Sequence, residues 1–202
     1  MTTHTHAQLL AAHIRAVLGD GPFPAPGGWS HMGAVICDAS FQARRNYAAT
    51  IRPRIIRLQT AWPDADTVRG FRVRLATEDL AAVMNFNAPR RVAIAHHIAD
   101  LLAGCGVDTR DDLHTWLEAP DHRAALRTVN GVGPKTVDYL GNLVGRSEVA
   151  VDTHLRAFAA QAGIVGGNYH HLRAVYEAAA TVLGHDRSGL EHAVWRHRSQ
   201  AR

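Results

Sequence analysis

The chain contains one lysine. Of its 22 lysines and arginines, 21 are arginine, and the exception is Lys135. Cysteine is nearly as scarce. Cys37 and Cys105 stand far apart, which excludes a disulfide framework and a four-thiolate metal site. No apolar run approaches the ~18 residues of a membrane span. The opening MTTHTHAQLL lacks the basic-then-apolar order of a signal peptide, so a cytoplasmic protein is expected. Sustained period-two alternation is missing too. RGFRVRL at 69–75 alternates briefly but has no neighbour to pair with. There is no internal repeat and no low-complexity segment.

What is present is helical. THAQLLAAHIRAVLG has a threonine start, helical apolar spacing and a glycine stop. SHMGAVICDA and FQARRNYAATIRPRIIRLQTAW continue with helical period, and Pro53 is expected to kink the second. ATEDLAAVM follows a threonine cap. APRRVAIAHHIADLLAG has proline early and glycine late, the usual asymmetry of helix ends. DTRDDLHTWL, PDHRAALRTV, PKTVDYLGNLVG, DTHLRAFAAQAG, NYHHLRAVYEAAATVLG and SGLEHAVWRHRSQ complete an all-α reading. The Pro/Gly loop DGPFPAPGGW is the candidate boundary between two lobes.

The 202 residues carry a formal charge of +4, a mild basic excess that suits a polyanionic partner. Fourteen histidines are scattered, with pairs at His96–His97 and His170–His171. Adjacent histidines diverge on a helix, and no acid or cysteine stands at ligand spacing. Solvated surface histidines and no metal are expected.

GVGPKT at 131–136 fails as a phosphate loop. A Walker A lysine follows a glycine, whereas Pro134 precedes Lys135, and a dinucleotide fingerprint needs a glycine where Thr136 stands. The segment fits instead a tight hairpin between two helices. Gly131 and Gly133 permit positive φ, Val132 tucks into the core, and Pro134 opens the second helix. The hairpin and helix-end N–H groups then form a phosphate-sized anion site that reads no sequence.

Lys135 falls in the first helical turn, where the helix dipole disfavours a cation. A free amine there can attack an anomeric carbon and form a Schiff base, which arginine cannot do. Further on, VAVDTHLRAF places Asp152 where a helix begins. As an N-cap it contributes about 1 kcal/mol. It can also present its second oxygen for proton transfer or to a developing positive sugar.

LRTVNGVGPKTVDYL followed by VAVDTHLRAF resembles the signature of the endonuclease III family of helix-hairpin-helix DNA glycosylases. GAVICDASFQARRNYAATI and FNAPRRVAIAHHIADLL resemble that family's earlier helices more loosely, so the likeness spans about residues 30–165. It implies a two-lobed all-α fold, with one lobe over 28–146 and the other combining 1–27 with 147–202. It implies an interlobe cleft that holds Lys135 as Schiff-base nucleophile and Asp152 as partner acid. The chain would be a base-excision-repair glycosylase with lyase activity, a nucleoid-associated monomer on double-stranded DNA.

In that likeness Gly131, Val132, Gly133 and Thr136 meet the DNA backbone, with Ser40, Gln42, Arg44 and Arg45 beside them. Ser40 and Gln42 compete to fill the gap left by an extruded base. Phe41, Tyr47 and Tyr139 line the substrate pocket, Trp29 and Phe86 are further stacking candidates, and Trp195 packs between lobes. Arg52, Arg54 and Arg57 extend the basic run. No cofactor is required, although a monovalent cation at the hairpin carbonyls is compatible. The four-cysteine iron–sulfur cluster of many family members cannot form, because no cysteine follows Cys105. Two alternatives stay open: a hydrolytic glycosylase using water activated by Asp152, and a non-catalytic DNA-binding module.

Overall fold

The structure is a computed structural model describing residues 2–42 and 46–200. The described residues hold twelve α-helices and one π-helical turn, and no strand. In chain order these are α1 (Thr3–Leu18), α2 (Met32–Phe41), the π turn (Tyr47–Ile51), α3 (Arg52–Ala61), α4 (Val68–Thr77), α5 (Leu80–Met84) and α6 (Pro89–Gly104). There follow α7 (Arg110–Trp116), α8 (Pro120–Leu126), α9 (Pro134–Leu143), α10 (Thr153–Gln161), α11 (Tyr169–Leu183) and α12 (Arg187–Gln200). The chain divides into two compact units. One is Gly28–Gly145, and the other joins Met1–Gly27 to Arg146–Arg202.

Side-chain chemistry explains most of the helix ends. Thr2, Thr67 and Asn168 cap α1, α4 and α11 by accepting a backbone N–H. Thr109 and Asp112 form a reciprocal capping box on α7. Gly184, with φ of 72°, closes α11 in the left-handed conformation. Two expectations are corrected. The cap of α5 is Asp79, not the threonine of ATEDLAAVM. Pro53 does not kink a long helix. It sits in the first turn of α3, where a missing N–H leaves no bond unmade, and the π turn precedes it. RGFRVRL lies within α4, because Thr67 caps a helix there and Val68 and Phe71 are its buried positions.

In the unit Gly28–Gly145, α2 is the central element. All ten of its residues are buried, and α3, α4, α6 and α9 pack around it. MGAVICDASF is apolar on nearly every side, the pattern of a helix enclosed by others. Trp62, Phe71, Ile98 and Leu140 are completely buried in the same core. Each such side chain contributes about 1.5–3 kcal/mol by leaving water. His31 caps α2 from inside the protein. Its Nδ1 accepts the Ala34 N–H at 3.1 Å, so its Nε2–H donates to the Trp62 carbonyl at 2.8 Å. The histidines are therefore not uniformly solvated.

The other unit has its own core. Leu10 and Ile14 of α1 pack with Val175 and Ala179 of α11, and Phe158, Leu190 and Val194 complete the cluster. Trp195, expected between lobes, packs against this core, with the His192 ring stacked on it at 5.8 Å.

Candidate functional site

The turn joining α8 to α9 is tight. The Val132 N–H donates to the Val129 carbonyl at 2.9 Å, and Val132 is buried. Gly131 has φ of 97°, and a Cβ there would come within 2.6 Å of Ile94 Cδ1. Gly133 differs. It is the N-cap of α9 with φ of −104°, and a Cβ would meet nothing within 4 Å. The fold therefore requires glycine at 131 and does not at 133. The N–H groups of Gly131 and Gly133 meet no acceptor among the described residues. Beneath the turn, Arg123 of α8 is paired with the buried Asp138 of α9, tying the two helices together.

Pro134, Lys135 and Thr136 form the first turn of α9, and all three are half-buried. The Lys135 ammonium lies over the ring of Tyr139, one helical turn on, with Nζ 4.5 Å from the ring centroid. This contact favours the charged amine. The Tyr139 hydroxyl donates to Asp38 Oδ1 at 3.1 Å.

Asp38 is the functional candidate that sequence reasoning missed. It is completely buried in α2. Its Oδ2 accepts the Trp29 indole N–H at 2.7 Å and the Tyr47 hydroxyl at 2.8 Å. The structure thus gathers Trp29, Tyr47 and Tyr139, named separately as stacking candidates, around one carboxylate. Burial raises the Asp38 pKa, against the three hydrogen bonds and the positive charge of Lys135. Burial, and then the Asp38 charge, push the Cys37 thiol and the Tyr47 phenol up. An acid inside the otherwise apolar run MGAVICDASF was the available signal.

Ser40 and Phe41 are both enclosed by their unit. Ser40 is buried, and its hydroxyl donates to the Ile36 carbonyl at 2.7 Å, so it is not a surface group for DNA. Phe41 is core, its ring 5.7 Å from that of Phe86, because helical spacing turns it inward with the rest of α2. Gln42 ends α2 and is half-buried. Arg44 and Arg45 lie outside the described residues. Arg54 is committed to the Asn85 and Thr50 carbonyls, whereas Arg52 and Arg57 are exposed.

In the other unit Asp152 caps α10. Its Oδ1 accepts the N–H groups of His154 and Leu155 at 2.8 and 3.0 Å, and Oδ2 takes no part in the cap. Burial, then the charges of Asp152 and Glu191, raise the pKa of Tyr176, whose hydroxyl donates to the Leu155 carbonyl. No group of three or more metal-binding side chains occurs among the described residues.

No curated protein and no solved structure matches the chain. Residues 29–199 match a family model described as a domain of unknown function, DUF8548, and the chain belongs to that family.

Proposed function

We propose that this protein is a DNA glycosylase with associated lyase activity, acting on duplexes that carry a damaged or mispaired base. One observation carries the reading. The only lysine of the chain is half-buried in the first turn of α9, directly after a turn whose two glycine amides meet no acceptor among the described residues. A lysine with no positional duty would be expected to be arginine in this chain. The glycine at 133, which the fold does not require, suits a backbone approached closely by another chain.

In this reading the amides of Gly131 and Gly133 take a phosphate of the duplex. One nucleotide is turned out of the stack, and Gln42 occupies the space it leaves. The neutral Lys135 amine attacks C1′. A nitrogen–carbon bond forms as the glycosidic bond breaks, and the base departs with the bonding electrons and takes up a proton. Loss of a proton from the new secondary amine and opening of the sugar ring give the Schiff base. Removal of a C2′ proton then drives β-elimination. A C2′–C3′ double bond forms, the C3′–oxygen bond breaks, the 3′-phosphate leaves with its electron pair and the strand is nicked. Water hydrolyses the imine to free Lys135. Asp152, with Oδ2 outside its cap, is assigned the proton transfers.

Borohydride trapping on abasic DNA and on a panel of damaged duplexes tests the reading. A covalent adduct with the wild type, absent from Lys135→Ala, is the expected result. If no substrate gives an adduct, the nucleophilic role is lost. Base release without nicking that survives in Lys135→Arg would instead assign the attack to water activated by Asp152.

A further inference from the structure

Asp38 belongs to none of the steps above, yet the core of one unit is built around it. A helix with every residue buried gains nothing in packing from a carboxylate, and burying an unpaired charge is costly. Three side chains from three parts of the chain nevertheless converge on it: Trp29 from the segment before α2, Tyr47 from the π turn and Tyr139 from α9. The indole N–H can only donate, so this oxygen is held as an acceptor. Tyr139 is held by Asp38 at its hydroxyl and carries Lys135 on its ring.

We propose that Asp38 is a positioning residue for Lys135: it fixes the Tyr139 ring on which the ammonium rests and supplies a negative charge that keeps the amine protonated in the absence of DNA. The inference rests on the reading of Lys135 as the reactive amine and adds its regulation. A ring face and a nearby carboxylate both stabilise the charged form, so the resting lysine is held unreactive. It becomes a nucleophile when it leaves Tyr139 for the substrate. Among the described residues, the ionisable groups facing this cluster include the Cys37 thiol, the Tyr47 and Tyr139 phenols and the Arg52 guanidinium. Burial holds the Cys37 thiol and the Tyr47 phenol above their ordinary values, and Arg52 opposes the effect of Asp38.

The scarcity of lysine supplies the assay. In protein made with isotope-labelled lysine, the side-chain resonance is that of Lys135 alone, and its titration can be followed by NMR without DNA. Asn at position 38 keeps the hydrogen bonds, because its oxygen can accept from Trp29 and Tyr47 while its NH2 donates to the Tyr139 oxygen. Asp38→Asn should move the midpoint down by about one pH unit, giving about tenfold more free amine at any pH below it. Tyr139→Leu, at a half-buried position, should shift it the same way. Tyr139→Phe, which keeps the ring and the charge, should shift it less. An unchanged or raised midpoint in Asp38→Asn, or in Tyr139→Leu should the first variant not fold, overturns the proposal. The same variants are then trapped on abasic DNA across pH, where Asp38→Asn should react at lower pH than the wild type. A wild type that never traps refutes the glycosylase reading and leaves the titration result standing.

Discussion

Alanine at Gly133 separates what the fold needs from what a ligand needs. The backbone there, at φ −104° and ψ 177°, is open to any residue, and a Cβ meets nothing within 4 Å. Alanine is a poorer N-cap than glycine by roughly 0.5–1 kcal/mol. It also restricts the unfolded chain, which returns about 0.4–1 kcal/mol. The two offset, and the melting temperature of Gly133→Ala should stay within about 2 °C of wild type. Gly131→Ala is the contrast. Its φ of 97° strains an L-residue by about 1–2 kcal/mol, and its Cβ falls 2.6 Å from Ile94 Cδ1, the movable end of a side chain. About 2 kcal/mol of destabilisation, or roughly 4–8 °C, is expected. On duplex DNA the order changes. A methyl group at 133 would intrude where the proposed phosphate approaches, so Gly133→Ala should bind about tenfold more weakly, a loss of about 1.4 kcal/mol. Differential scanning fluorimetry and fluorescence anisotropy with an abasic-analogue duplex measure the two halves. A Gly133→Ala protein that melts and binds like wild type would refute the idea that this glycine serves a close backbone approach.

Lys135→Arg should retain most duplex affinity, because the charge stays, and should abolish the borohydride adduct on denaturing gels. Asp152→Asn preserves an equally good N-cap, so its melting temperature should hold while lyase turnover falls at least tenfold; equal turnover would leave Asp152 with capping alone. Asp38→Ala strands the indole N–H and two phenols, and should lower stability in urea by about 3 kcal/mol, against about 1 kcal/mol or less for Asp38→Asn. The pH dependence of that second difference has a definite sign. The folded-state pKa of Asp38 is raised by burial, so wild type compares best with Asp38→Asn in acid, below the unfolded value, and loses ground as pH rises through the folded value. Urea midpoints from about pH 3 to pH 7 would show it, and an opposite trend would place the folded pKa below its ordinary value.

Local chemistry made much of the helical pattern legible. Pro89 and Gly104 bound α6, Asn168 and Gly184 bound α11, and Asp152 caps α10, all by short-range rules visible in the residues themselves. The turn at 131–133 was legible for the same reason: its glycines, its inward valine and Pro134 are neighbours in sequence. Asp38 was not, because its partners Trp29, Tyr47 and Tyr139 meet it only after α2 has been enclosed. Ser40 was read as a DNA-contacting residue and Phe41 as a pocket aromatic, and neither reading foresaw that the packing of α3, α4, α6 and α9 on α2 encloses both. Arg123 and Asp138 each look like an ordinary charge on a helix face, and only the turn between them makes a buried pair.

The division of the chain has a bearing on how the protein is made. One unit is a continuous stretch, Gly28–Gly145, inserted into the other. Helix α1 spans Thr3–Leu18, and its packing partner α11 spans Tyr169–Leu183. On a ribosome adding ~5–20 residues per second, α1 waits roughly 8–30 s for α11 to be synthesised. Over that interval Leu10 and Ile14 lack their α11 partners. The core of the inserted unit is drawn from one continuous stretch, so it meets no such delay. Once folded, it replaces residues 28–145 of loose chain by one compact body. The entropy of bringing α1 to α11 is then set by the short connections on either side of the insert.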